Sequence, residues 1–241
     1  MLKKICQVQI LGRMPFQQAW DYQSTLAEEI ARGGQPDTLL FVEHPHVFTF
    51  GRQGNQDHLL WSQEQLETYG AEVLWIDRGG DITYHGPGQL VGYPLMQLVP
   101  LKNQPGPLPK SDYIGFIRKL ETVLINSLAE FGIQGARLES KTGVWVIDDE
   151  GKVRGKIASI GIKIDVNGVS RHGFALNVNP QMNYWSGIIP CGLPAVEMLS
   201  MEKLLQTSVT LEMVMDEVID SFGKVFDASM ILDSSITKNE G

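Results

Sequence analysis

The chain has 241 residues, with 28 acidic and 20 basic side chains and a formal net charge of −8. Its 43% hydrophobic and 20% charged residues are those of an ordinary globular protein, which excludes a disordered or fibrous chain, and its acidity argues against a nucleic-acid binder. This length supports a real core, and one folding unit over 1–241 is expected.

The basic start Met1 to Lys4 is followed by Gln7 and Gln9, which interrupt any apolar run, so the segment reads as an alternating strand and not a signal peptide. Pro15, then Phe16, Trp20, Leu26, Ala27 and Ile30 before Gly33-Gly34, predict a helix with Pro at its start and a glycine stop. Strand-like stretches follow at 38–50, 71–76 and 89–98. Pro100, Pro105, Pro107 and Pro109 mark an extended connector or lid. The spacing of Ile114, Ile117, Leu120, Leu124 and Leu128 predicts a helix from Ser111 to Gly132, and further strands are expected at 143–149, 157–166 and 169–178. Asn167-Gly168 joins the last two as a tight hairpin with positive φ at both residues. Leu211, Val214, Val218, Ile219 and Phe222 set a third helix over 210–226, and 228–241 is expected to be a mobile tail. The helical stripes are read as core alone. The class is α/β of the α+β kind, a mixed β-sheet flanked by helices, without the regular alternation of a doubly wound fold.

No apolar run reaches the roughly 20 residues a membrane helix needs. Two cysteines, Cys6 and Cys191, without a framework of others indicate free thiols and a cytoplasmic setting. From Arg137 to Arg171 seven basic residues face five acidic ones, a local basic patch suited to an acidic partner or simply a solvated hairpin face.

Three clusters bear on chemistry. Arg78-Gly79-Gly80-Asp81-Ile82-Thr83-Tyr84-His85-Gly86-Pro87-Gly88 is too glycine-rich for a packed strand and too apolar for a linker, so it reads as a ligand loop or a structural turn. It has neither the spacing of a dinucleotide fingerprint nor the Gly-Lys-Ser/Thr of a phosphate loop. In Gly155-Lys156-Ile157-Ala158-Ser159-Ile160-Gly161 an ammonium enters an apolar run, where it can oppose a thiolate or handle protons; a surface lysine at a strand start is the plainer reading. Cys191 stands between Pro190 and Gly192 on a constrained turn suited to a nucleophile, against the alternative of an inert buried thiol, which suits Cys6 better. His172, before Gly173, can polarise a carbonyl or satisfy the core. His44 and His46 point to one side of a strand, but Pro45 lies between them and no further ligand follows at metal-binding spacing.

Together and in this order these clusters resemble the lipoyl(octanoyl) transferase family. The matching text includes Glu43-His44-Pro45, Phe48 to Arg52, Arg78 to Leu90, Gly143-Val144-Trp145, Lys156 to Gly161, His172 to Asn179 and Ile189 to Gly192, within a catalytic region of about 38–227. The resemblance implies a fold like the catalytic domain of biotin and lipoate protein ligases. It implies that Cys191 carries an acyl thioester and that Lys156 tunes it. Arg78, Gly79, Gly80, Asp81, Ile82, Thr83, Tyr84 and His85, with Ser159, Ile160, Gly161, Gly173, Phe174 and Ala175, would bind substrate. The donor it implies is octanoyl-acyl carrier protein, and the acceptors are lipoyl domains of 2-oxoacid dehydrogenases and the glycine cleavage H protein, with no cofactor, metal, nucleic acid or membrane. An ATP-dependent lipoate or biotin protein ligase shares the fold, and a non-catalytic acyl-binding module is the remaining alternative. Cys191 favours the transferase over the first, and Lys156 together with Cys191 over the second.

Overall fold

The computed structural model describes residues 3–98, 110–190 and 196–233. The elements run β1 (Lys4–Arg13), α1 (Phe16–Ala31), β2 (Asp37–Glu43), β3 (Val47–Phe50), α2 (Gln63–Thr68), β4 (Glu72–Trp75), β5 (Ile82–His85), β6 (Gln89–Leu95), α3 (Lys110–Glu130), β7 (Gly135–Leu138), β8 (Lys141–Ile147), β9 (Val153–Ile164), β10 (Ser170–Asn177), α4 (Met201–Leu205), α5 (Leu211–Phe226) and β11 (Ala228–Leu232). Eight strands form one mixed sheet in the order β11-β1-β2-β6-β10-β9-β8-β7, and β4-β3-β5 form a second, smaller sheet. In the large sheet β1 is parallel to β11 and to β2, while every pair from β2 to β7 is antiparallel.

Both faces of the large sheet are covered, so its middle strands are apolar on both sides, as burial on two faces requires. In β2, Leu39 and Phe41 join the core under α3 and α5, whereas Leu40 and Val42 pack with Leu26, Ala27 and Ile30 of α1. Pro15 caps α1, where its missing N–H costs nothing. Ser62 and Gln65 close α2 with a reciprocal capping box.

Several expectations are corrected. The stretch 38–50 is two strands, because His44 to His46 turn the chain from the large sheet into the small one. The glycine-rich run is not all loop, since Ile82–His85 is a strand paired to β3. The hairpin between β9 and β10 exists, but only Gly168 has positive φ (+77). The Asp165 carboxylate accepts the N–H groups of Asn167 and Val169, holding a loop longer than two residues. Residues 228–232 are not a tail: they pair in parallel with β1, and Asp233 donates its N–H to the Val8 carbonyl at 2.8 Å. The four prolines of the 100–109 connector, and residues 234–241 of the expected tail, lie outside the described residues.

Candidate active site

A cavity of about 750 Å³ opens over β6, β9 and β10, between the Arg78 loop and α3. Fourteen of the sixteen residues singled out from sequence line it: Arg78 to Thr83, His85, Lys156, Ser159 to Gly161 and Gly173 to Ala175.

 
Those fourteen leave Tyr84 and Cys191. Tyr84 faces the other way, into the aromatic cluster under the small sheet, where its hydroxyl lies 2.8 Å from His46 Nδ1. Cys191 lies outside the described residues.

Glycines let three backbones converge on this cavity. A Cβ at Gly51 would lie 2.3 Å from the Gly80 carbonyl oxygen, and one at Gly161 would lie 2.9 Å from that of Gly79. In that space the N–H groups of Gly51, Arg52 and Gln53 donate to the carbonyls of Asp81, Arg78 and Gly80, and Gly79 N–H donates to Ile162 at 3.1 Å. The loop is therefore held to β3 on one side and to β9 on the other. Its Arg78 guanidinium is buried and donates to the Thr49 carbonyl at 2.6 Å and its hydroxyl at 3.0 Å. Asp81 pairs with His58 and accepts the Asn55 N–H.

Buried imidazoles crowd the same side. His85 Nδ1 lies 2.8 Å from Gln89 Oε1 and Nε2 lies 3.4 Å from Thr49 Oγ1. Burial, with His44 and Arg78 nearby, pushes its pKa well below the usual histidine value, so the ring is neutral. His44 is held between the Met14 carbonyl and the Tyr93 hydroxyl, and burial lowers its pKa to about 4. His44 and His46 thus take separate partners, and no group of three or more potential metal ligands exists among the described residues. His172 also lines the cavity, with its Nε2 2.6 Å from Asp77 Oδ1. Burial lowers its pKa despite the opposing pull of Asp77. For Asp77 itself burial works upward, but hydrogen bonds from His172 and Lys163 and the charge of Arg171 outweigh it and hold the carboxyl below its usual range. Lys163 and Arg171 are therefore engaged inward, which leaves a smaller basic patch than the sequence count suggested.

Lys156 is only 4% exposed. It stands where β8 and β9 are irregularly paired, and its Nζ lies 5.6 Å from the centre of the Trp145 ring. Its N–H donates to the Glu197 carbonyl and its carbonyl accepts from Leu199, both at 2.8 Å. On the other flank of Cys191, the Ile189 N–H donates to the His58 carbonyl at 2.8 Å. Cys6 is a buried strand thiol in the core beneath the sheet, and burial, with Asp37 nearby, raises its pKa to about 12. It has the properties of an inert thiol.

Sequence reasoning missed part of the lining. Phe16 of α1, Tyr113 and Ile117 of α3, Arg52, Tyr93 and Trp145 also border the cavity. The helical residues occupy apolar stripe positions, so no local signal separates them from core. Arg52 and Trp145 lay within the stretches that carried the family resemblance, where they had no assigned role.

The lipoyl protein ligase A/B catalytic domain model matches residues 15–223. The chain is 41% identical over 225 residues to an octanoyltransferase of Koribacter versatilis, covering 93% of this chain and 86% of that one. It is 39% identical to an octanoyltransferase of Cytophaga hutchinsonii, covering 91% and 92%. Its fold is similar to that of a solved lipoate-protein ligase A bound with ATP, with a TM-score of 0.67 at 15% identity over 96% of this chain and 90% of the other. It is likewise similar to the bipartite lipoate protein ligase of Thermoplasma acidophilum, with a TM-score of 0.66 at 16% identity over 95% and 87%.

Proposed function

The chain belongs to the octanoyltransferase family, acyltransferases built on the lipoyl protein ligase A/B catalytic domain, and we propose that it moves octanoyl from octanoyl-acyl carrier protein through Cys191 to a lysine of a lipoyl domain. The observation that carries this reading is the buried Lys156 at the wall of a largely apolar cavity. Of the described segments before and after Cys191, the first is tied at Ile189 to His58, whose ring pairs with the cavity residue Asp81, and the second at Glu197 to Lys156.

In the first step the Cys191 thiolate attacks the donor thioester carbon. A new carbon–sulfur bond forms, the carrier's sulfur leaves as a thiolate, and that thiolate takes a proton. In the second the acceptor amine attacks the Cys191 thioester, a carbon–nitrogen bond forms, the amine loses a proton and the Cys191 thiolate is released. Exchange of thioesters is nearly balanced and amide formation runs downhill, so neither step requires nucleotide activation. The Lys156 ammonium favours the Cys191 thiolate in the first step and gives its proton to the departing carrier thiolate, and the amine so formed accepts the proton of the acceptor amine in the second. Ile82, Ile160, Phe174 and Ala175 offer apolar contact to the acyl chain, while Arg78, Thr83 and His85 give the cavity its polar edge. Lipoyl domains of 2-oxoacid dehydrogenases and the glycine cleavage H protein are the acceptors in this reading, with the cytoplasm as its setting.

Transfer from octanoyl-carrier protein to a lipoyl domain, assayed after removal of nucleotide and magnesium, is the test. Undiminished transfer is expected. A strict requirement for ATP with free octanoate as donor would move the chain to the ligase chemistry.

A further inference from the structure

Gly143 has no room for a side chain on the side where Lys156 lies. Its φ is +112, and a Cβ there would fall 2.6 Å from Lys156 Cε, 3.2 Å from Nζ and 2.5 Å from the Ala158 carbonyl oxygen. Contacts that short do not persist, so a side chain at this position has to displace the lysine, the β9 backbone or both. The Gly143 backbone is fixed from behind. Its N–H donates at 3.1 Å to Glu121, whose fully buried carboxylate also meets Arg118 at 2.6 Å and Arg137 at 3.1 Å. Two residues on, the Trp145 ring faces the Lys156 ammonium. Backbone, ring and missing side chain thus bound the lysine on one flank.

We propose that Gly143 is a positioning residue for Lys156: its bare Cα, held by Glu121 and continued by the Trp145 ring, is the seat that keeps the Lys156 ammonium at the cavity wall. This rests on the role proposed above for Lys156 in transfer. Gly143 touches no reacting atom in this account and acts only through the lysine.

The experiment is a double-mutant cycle with a second, direct readout of the lysine. Gly143→Ala and Trp145→Leu are each made in the wild-type and the Lys156→Met background. Octanoyl transfer, thermal unfolding and the rate of Lys156 acetylation by acetic anhydride, relative to exposed Lys152, are measured by activity assay, calorimetry and peptide mass spectrometry. Gly143→Ala is expected to slow transfer at least tenfold in the wild-type background and less than twofold beside Lys156→Met, and to change the relative acetylation rate at least threefold. Trp145→Leu gives the same pattern at smaller amplitude and carries the cycle if Gly143→Ala does not fold. Equal slowing in both backgrounds, or an unchanged acetylation rate, overturns the proposal. If Lys156→Met alone transfers at the wild-type rate, the role of Lys156 in the reaction fails, and the acetylation rate still decides whether the seat exists.

Discussion

At the residue scale the site depends on charges kept away from water. Lys156→Met keeps most of the stem and removes the charge and the proton site, so it separates packing from electrostatics. It is expected to slow acylation of Cys191 and to raise the midpoint of its alkylation profile towards or beyond the ordinary thiol value of about 8.5. Lys156→Arg keeps the charge but not a usable base, so it should restore the alkylation midpoint in part and still fail to pass acyl to the acceptor. An unchanged profile and turnover in Lys156→Met would make the lysine a bystander. His44 carries a separate prediction. Its pKa falls from 6.5 in the unfolded chain to about 4 in the fold because it is buried. Above pH 6.5 it is neutral in both states and adds no pH dependence. As the pH falls from about 6.5 to 4, the unfolded chain takes a proton that the folded one refuses, so stability drops by about 3 kcal/mol from this group. His44→Gln should lower stability at pH 7.5 yet flatten the decline between pH 6.5 and 4, as read by chemical denaturation; an unaltered slope would contradict the assignment.

At the element scale, how much could be read in advance depended on whether local pattern or long-range pairing made the element. The three long helices follow from stripes with end signals, such as Pro15 before α1 and Thr210, whose hydroxyl accepts the Met213 N–H, before α5. β5 was hidden because Ile82 to His85 sits among glycines and is a strand only by pairing with β3. β11 was hidden because a parallel partner more than two hundred residues earlier leaves no local trace. The α2 capping box is written locally in Ser62 and Gln65. The site was legible wherever a loop or strand had an unusual composition, as at Arg78 and Lys156, and not where an ordinary core residue such as Ile117 borders the cavity. The place of β11 is testable. Ending the chain after Asp233 should leave the unfolding midpoint unchanged, while ending it after Asp227 removes the β1 partner strand and should cost on the order of 2–4 kcal/mol. Equal stability of the two truncations would show that β11 adds nothing.

At the scale of the whole molecule, one cavity is assembled from segments scattered between Phe16 and Ala175. The antiparallel run β6-β10-β9-β8 makes them neighbours. Its register sets Ser159 opposite Ala175 and Gly161 opposite Gly173, so two separate motifs become one lining. The small sheet delivers Thr83 and His85 from the other side, and the large core beneath makes the arrangement rigid. What this architecture is proposed to serve is a covalent acyl intermediate on Cys191, and intact-protein mass spectrometry after mixing with octanoyl-carrier protein reads it directly. The account predicts a species heavier by one octanoyl group, mapped to the Cys191 peptide, retained in Cys6→Ser, absent in Cys191→Ser and discharged when a lipoyl domain is added. Full transfer activity in Cys191→Ser, or an adduct confined to Cys6, would contradict it.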